Sequence, residues 1–148
     1  VDIKYWMEHN DKIDVFYSIL IMYTYEHKMI VINHRIEALN LTIAFYIGRN
    51  AEDNFKVIDI AEQKNPENLW FHVQDKPSNH VVAEIPASLK LDKKQMRYIV
   101  TQGAVLCKQY SSYKSDSNVK IIWTKIKNVK KTSVLGSVLT SSIKTVTI

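Results

Sequence analysis

Short apolar runs of β-branched, aromatic and aliphatic residues, bounded by polar turns, recur along this chain and read as strands. The clearest case is the segment 41–47, LTIAFYI, which the turn Gly48-Arg49-Asn50 brings to a stop. Residues 14–25 are β-branched and aromatic, and 28–36 alternate weakly; both read as strand. Residues 69–73, LWFHV, and Val81-Val82 form two more apolar runs. The short polar link 74–79 between them carries Pro77, Ser78 and Asn79, which is turn chemistry and predicts a hairpin. Strand is also expected over 118–124, NVKIIWT, and over 137–148, where Ser and Thr alternate with aliphatics. The period changes between 92 and 111. There Met96, Ile99, Val100, Gly103, Ala104, Cys107 and Tyr110 recur every three or four residues behind Asp92, a good N-cap. A shorter helix is expected over 51–62 with Asn50 as cap. The small residues Gly103 and Ala104 would let the long helix lie close to a sheet. The expected fold is α+β: a mixed, mainly antiparallel sheet with one long helix packed on a face.

Composition narrows this picture. At 148 residues, with 46% hydrophobic and 24% charged side chains, the chain reads as one globular domain over 1–148. No repeat or low-complexity tract divides it. The opening VDIKYWMEHNDK is not basic then apolar, so no secretory leader is expected there. The longest apolar run, 15–25, is interrupted by Ser18 and Thr24 and falls short of the roughly 20 residues a bilayer span needs, so no membrane partner is expected. A single cysteine, Cys107, excludes an internal disulfide and points to a reducing, cytoplasmic setting. The net charge of +5 is uneven. Residues 1–62 hold 6 basic and 10 acidic side chains, and residues 63–148 hold 14 and 5. A basic half is the electrostatic footprint of a nucleic-acid binder, although a solvated lysine face has the same composition.

The candidate chemistry centres on His72 and His80, one on each arm of the expected hairpin. Paired imidazoles serve anion binding or proton transfer. A histidine among apolar strand residues is also a common core or edge residue. Arg49, on the turn after 41–47, offers a bidentate fork to phosphate, or a partner for Glu52 or Asp53. Lys125, Lys127, Lys130 and Lys131 add positive charge. Trp70, Tyr98 and Trp123 would stack bases if exposed, but a strand tryptophan is more often core. The five histidines show no HExxH spacing, there is no CxxC, and no glycine-rich phosphate loop occurs, so neither a metal nor a cofactor is expected. Cys107 falls on the apolar helix face and is expected to be buried and inert.

Four stretches then fall in a telling order: IGRNAEDN at 47–54, NLWFHV at 68–73, PSNHVV at 77–82, and NVKK at 128–131 followed by Gly136. This order resembles the NFACT-R domain, the RNA-associated module of ribosome quality-control factors, and its stand-alone eukaryotic relatives. The resemblance covers about residues 43–148; residues 1–40 lack it and form a divergent N-terminal part. It implies RNA binding, with tRNA or ribosomal RNA as partner and the ribosome as a setting. Carried over by motif, Arg49 matches the turn arginine and Asn54 its downstream asparagine. His72 and His80 match the two strand histidines, and Lys130 and Lys131 the basic loop. Two positions depart from the pattern: Pro77-Ser78-Asn79 replaces the glycine-containing turn, and Lys130-Lys131-Thr132 replaces a K-P-x-G loop. Both are closer to the stand-alone branch. The leading expectation is a non-catalytic RNA-binding module. A small RNA-processing or hydrolytic enzyme using His72 and His80 as acid and base is the alternative, and a protein-interaction domain the third reading. Binding is favoured over catalysis because the nearest carboxylates in sequence are badly placed. Asp75 lies on the turn, and Glu84 is about 13 Å from His80 along a strand.

Overall fold

The computed structural model describes residues 29–148; the strand expected over 14–25 lies outside them. Eight strands and two α-helices follow in the order β1 (Ile30–Ile36), β2 (Leu41–Ile47), α1 (Ala51–Lys64), β3 (Leu69–Val73), β4 (Val81–Ala83), α2 (Lys93–Gln109), β5 (Lys120–Lys125), β6 (Val129–Lys131), β7 (Val138–Thr140) and β8 (Lys144–Thr147). Six strands make one sheet in the order β1-β2-β4-β3-β5-β8, and β6 pairs with β7 in a small second sheet. The fold is α+β, as the patterning predicts, and every pairing among the described residues is antiparallel. The expected hairpin is β3–β4, with Phe71 opposite Val81 and Trp70 opposite Val82.

Strand alternation sorts side chains onto two faces. Phe45, Ile47, Leu69, Phe71, Val81 and Ile121 point to one side and pack under α2 with Ile99, Ala104 and Cys107. α2 starts with a full capping box: Asp92 accepts from the Gln95 backbone N–H at 2.8 Å, and Gln95 accepts from Asp92 at 3.0 Å. Gly103 meets the flat of Phe71 so closely that an added Cβ would enter the ring, which is the close approach its size predicts. Trp70 and Val82 point the other way and are covered by Val57, Ile58 and Ala61 of α1. The sheet therefore carries a helix on each face rather than one. α1 runs two residues past its expected end, and Asn50 caps it by accepting from Asp53 N–H at 2.8 Å. The β-rich tail is not one strand. Ser142 adopts φ 52° between β7 and β8, so the two strands join different sheets.

Candidate nucleic-acid interface

The β3–β4 register brings the two histidines together. One residue beyond the Phe71–Val81 pair, His72 faces His80 across the hairpin, with ring centroids 4.9 Å apart and planes at 88°. Both share the α1 side of the sheet with Trp70, which stacks on His72 at 5.7 Å and meets His80 edge-on at 5.4 Å. Trp70 donates its indole N–H to His80 Nδ1 at 3.1 Å, so the proton of neutral His80 sits on Nε2, where the Gly136 carbonyl accepts it. His80 is 2% exposed. Burial, reinforced by His72 and opposed by the Gly136 carbonyl, pushes its pKa down to about 3. Burial also lowers the pKa of His72, against the pull of the Val73 carbonyl. His72 Nδ1 lies 2.6 Å from that carbonyl oxygen. A carbonyl can only accept, so Nδ1 carries the proton and Nε2 is left as an open acceptor. The two imidazoles of the expected pair therefore stand differently. His80 is committed inside the protein, and neutral His72 offers a lone pair to a donor such as a hydroxyl.

The turn after β2 closes the site from the other side. Gly48 N–H donates to the His80 carbonyl at 2.9 Å, and Asn54 Oδ1 accepts from His80 N–H at 3.0 Å. Asn54 is buried, and it ties the start of α1 to β4. A Cβ on Gly48 would overlap the Asn54 side chain, so this clasp requires glycine. Arg49 Nε reaches the buried carboxylate of Asp53 at 3.4 Å. The arginine stays 46% exposed, and its terminal nitrogens make no hydrogen bond among the described residues. The β6–β7 loop supplies the third wall. Gly136, at φ 81°, lies so close to Ala51 that its Cβ would sit 2.9 Å from the alanine's.

Arg49, Asn54, His72, Pro77, His80 and Gly136 thus surround one open cleft of about 410 Å³ at the N-terminus of α1. A second hollow of about 250 Å³ adjoins it, lined by Arg49, Ser78, Tyr110 and Ser111. Asn79 lines both, and neither its amide oxygen nor its amide nitrogen has a partner, although both atoms are buried. Sequence reading passes over Asn79 as a turn residue; only its place directly before His80 marks it.

The lysines do not join this cleft. Lys125 pairs with Leu69, at the far end of β3 from His72, and both Lys125 and Lys127 (2.7 Å) bind Glu67. Those two ammonium groups hold the Glu67 carboxyl below its usual range. Lys131 binds Asp59, two turns along α1, and lies over the Phe55 ring at 5.4 Å. Lys130 is exposed on β6 and makes no ion pair among the described residues. Trp70 is 1% exposed, so it is no stacking platform; Tyr98 is exposed and Trp123 half-buried, both on the α2 side. Cys107 is buried and its thiol is pushed up to about 12 by burial, as its place on the helix predicts. Among the described residues no group of acidic, histidine or cysteine side chains is arranged to hold a metal, and no helix is long and apolar enough to cross a membrane.

The family model for the NFACT protein RNA binding domain matches residues 34–143. The chain belongs to that family. It is an RNA-binding module by family, and the cleft lies wholly inside the matched region. A solved structure with the same fold is the C-terminal part of the fibronectin/fibrinogen-binding protein from Streptococcus suis. That match has 22% sequence identity and a TM-score of 0.59, and covers 72% of this chain and 40% of that one. The chain thus spans about two fifths of that structure's length. No match is found among curated protein sequences.

Proposed function

We propose that this NFACT domain holds RNA in the cleft between the Gly48–Asn50 turn and the β3–β4 hairpin, and that the RNA is a tRNA or a ribosomal RNA segment met at the ribosome in the cytoplasm. One observation carries the reading. Arg49 and His72 converge on a cleft whose floor is hydrogen-bonded internally, with the buried Asn79 side chain in its wall. Arg49 supplies the fixed charge for a phosphate, close to the positive end of α1. His72 Nε2 accepts from a ribose 2′-hydroxyl, the group that distinguishes RNA from DNA. Asn54 and His80 act one step behind, by fixing the hairpin against α1.

Catalysis fits less well. General acid–base work at neutral pH needs a proton carrier titrating near 7 and an orienting partner. His80 stays neutral far below that, and neither imidazole has a carboxylate partner among the described residues. Glu84 is held instead by Lys64 at 3.3 Å and Tyr46 at 2.8 Å. The test is binding of labelled tRNA, ribosomal RNA fragments and sequence-matched DNA across a salt series. Arg49→Ala should weaken binding and flatten the salt slope by about 0.7–0.9 per lost phosphate contact. His72→Ala should shrink the preference for RNA over DNA. Unchanged affinity, slope and preference in both variants would remove the cleft from the RNA interface.

A further inference from the structure

On the opposite face of the sheet the start of α2 carries a cluster of charge that the fold does not use. Lys93, Lys94 and Arg97 are exposed there, and Lys144 of β8 stands nearby. None of the four makes an ion pair among the described residues. The acids at hand are already engaged: Asp92 caps the helix, and Glu37 binds Arg35 at 3.0 Å. The first turn of α2 contains no acidic residue, so two ammonium groups sit where the helix dipole favours anions. That placement is unfavourable for the helix. Folding does not explain such an arrangement, and local rules broken in this way tend to mark functional surfaces.

The cluster straddles two grooves. One, of about 520 Å³, runs between α2 and residues 34–38, past Lys94, Arg97 and Tyr98. The other, of about 480 Å³, runs between α2 and the β5–β8 edge, past Lys93, Arg97, Met96, Trp123 and Lys144. Arg97 lines both. Each groove offers an aromatic ring beside its cations. Tyr98 is 43% exposed, and Trp123 is half-buried with Lys144 Nζ 5.2 Å from its ring centre. Unpaired cations interleaved with accessible rings are the chemistry of a single-stranded nucleic-acid path, in which phosphates meet the charges and bases stack on the rings. An acidic protein would use the charges but not both rings.

We infer that the α2 face is a second RNA-contact surface, separate from the histidine cleft, which takes a single-stranded segment along Lys94, Arg97 and Tyr98 and past Trp123. The inference rests on RNA being the ligand, and not on the cleft being where RNA binds. A domain with RNA surfaces on both faces of its sheet would hold two RNA segments, or two stretches of one.

The test uses the full chain and a labelled single-stranded RNA of about a dozen nucleotides. In the triple variant Lys93→Ala, Lys94→Ala, Arg97→Ala, affinity should fall about tenfold or more, and the salt slope should lose about 2, at 0.7 per phosphate. Tyr98→Ala should weaken binding about fivefold or more through lost stacking. All four side chains are exposed, so thermal midpoints should not fall below the wild type's. Ultraviolet crosslinking to thiouridine-substituted RNA should label α2 or Trp123. Wild-type affinity and slope in the triple variant would overturn the inference and leave the cleft reading untouched. Loss of RNA binding in the triple variant, with normal binding by Arg49→Ala and His72→Ala, would support the α2 face and sink the cleft. If the triple variant keeps RNA but loses binding to polyglutamate, the face belongs to an acidic protein and the inference is wrong.

Discussion

Acidification should weaken this domain through His80, by an amount the structure bounds. In the unfolded chain an imidazole titrates near 6.5; in the fold His80 titrates at about 3. Its folded pKa is depressed, so between those values the unfolded state binds the extra proton and the folded state does not. Stability is then full above pH 6.5 and falls as pH drops toward 3. The slope is about 1.4 kcal/mol per pH unit, so about 3 kcal/mol is lost between pH 6.5 and 4.5. That is a large part of the 5–15 kcal/mol typical of a domain. Carboxylates titrate in the same window, so the perturbation must isolate His80. His80→Gln does so: its amide oxygen can accept from Trp70, its amide N–H can donate to Gly136, and it does not titrate. Urea unfolding of both proteins at half-unit steps from pH 7.5 to 4.5 should show the wild type losing about 3 kcal/mol more than the variant. Whatever the substitution costs at pH 7.5 is constant and drops out of the slope. Parallel curves, agreeing within about 0.5 kcal/mol across the range, would refute both the depressed pKa and the hydrogen-bond scheme that fixes the His80 proton on Nε2.

Three further outcomes are expected. Asn54→Ala leaves the buried His80 N–H without its acceptor and should cost about 1–3 kcal/mol in urea unfolding at pH 7.5; a change under about 0.5 would mean water replaces the asparagine. Gly103→Val forces a branched side chain into the Phe71 ring and should cost about 1–3 kcal/mol or more, visible as a lower thermal midpoint, whereas an unchanged midpoint would show that α2 can lift freely from the sheet. Cys107 should react with a disulfide reagent only in denaturant, because burial keeps the thiol protonated; fast labelling of the native protein at pH 8 would contradict its placement.

Local pattern carried the fold a long way. The apolar run LWFHV and the turn residues after it were enough to expect a hairpin with neighbouring histidines, because register in a short hairpin follows from its connection. The helix from Asp92 was legible because cap, period and small residues agree. Other features depend on long-range partners that the local pattern does not show. The lysines looked like one basic site, yet Lys127 meets Glu67 and Lys131 meets Asp59, 60 and 72 residues away, and no local signal announces such pairs. Residues 137–148 were read as one β-rich run, although the polar triplet Thr140-Ser141-Ser142 interrupts the alternation where Ser142 divides them between two sheets. The second helix was seen but not its face, since 51–64 has a weaker apolar stripe and its cover over Trp70 is a tertiary fact. Asn54 stood out through the family pattern alone. Its place under the His80 N–H, 26 residues on, gives that position a structural reason.

These corrections change where RNA should be sought. The net charge of +5 suggests a basic C-terminal half, but charge that is paired across the surface contributes little to the field a phosphate meets. Lys125 and Lys127 share one carboxylate, and Lys131 has its own. Arg49 at the cleft shares Asp53 but keeps its terminal nitrogens outward; Lys130 on the small sheet, Lys93, Lys94 and Arg97 at the start of α2, and Lys90, Lys114 and Lys120 elsewhere are exposed and make no ion pair among the described residues. The two proposed RNA surfaces differ in kind. At the cleft one cation works beside neutral groups held in place by a closed hydrogen-bond network, which suits recognition of a particular sugar or base edge. Along α2 the cations Lys93, Lys94 and Arg97 flank the exposed Tyr98 and the half-buried Trp123, which suits affinity without much sequence preference. Salt should therefore act mainly through α2, and discrimination of RNA from DNA mainly through His72.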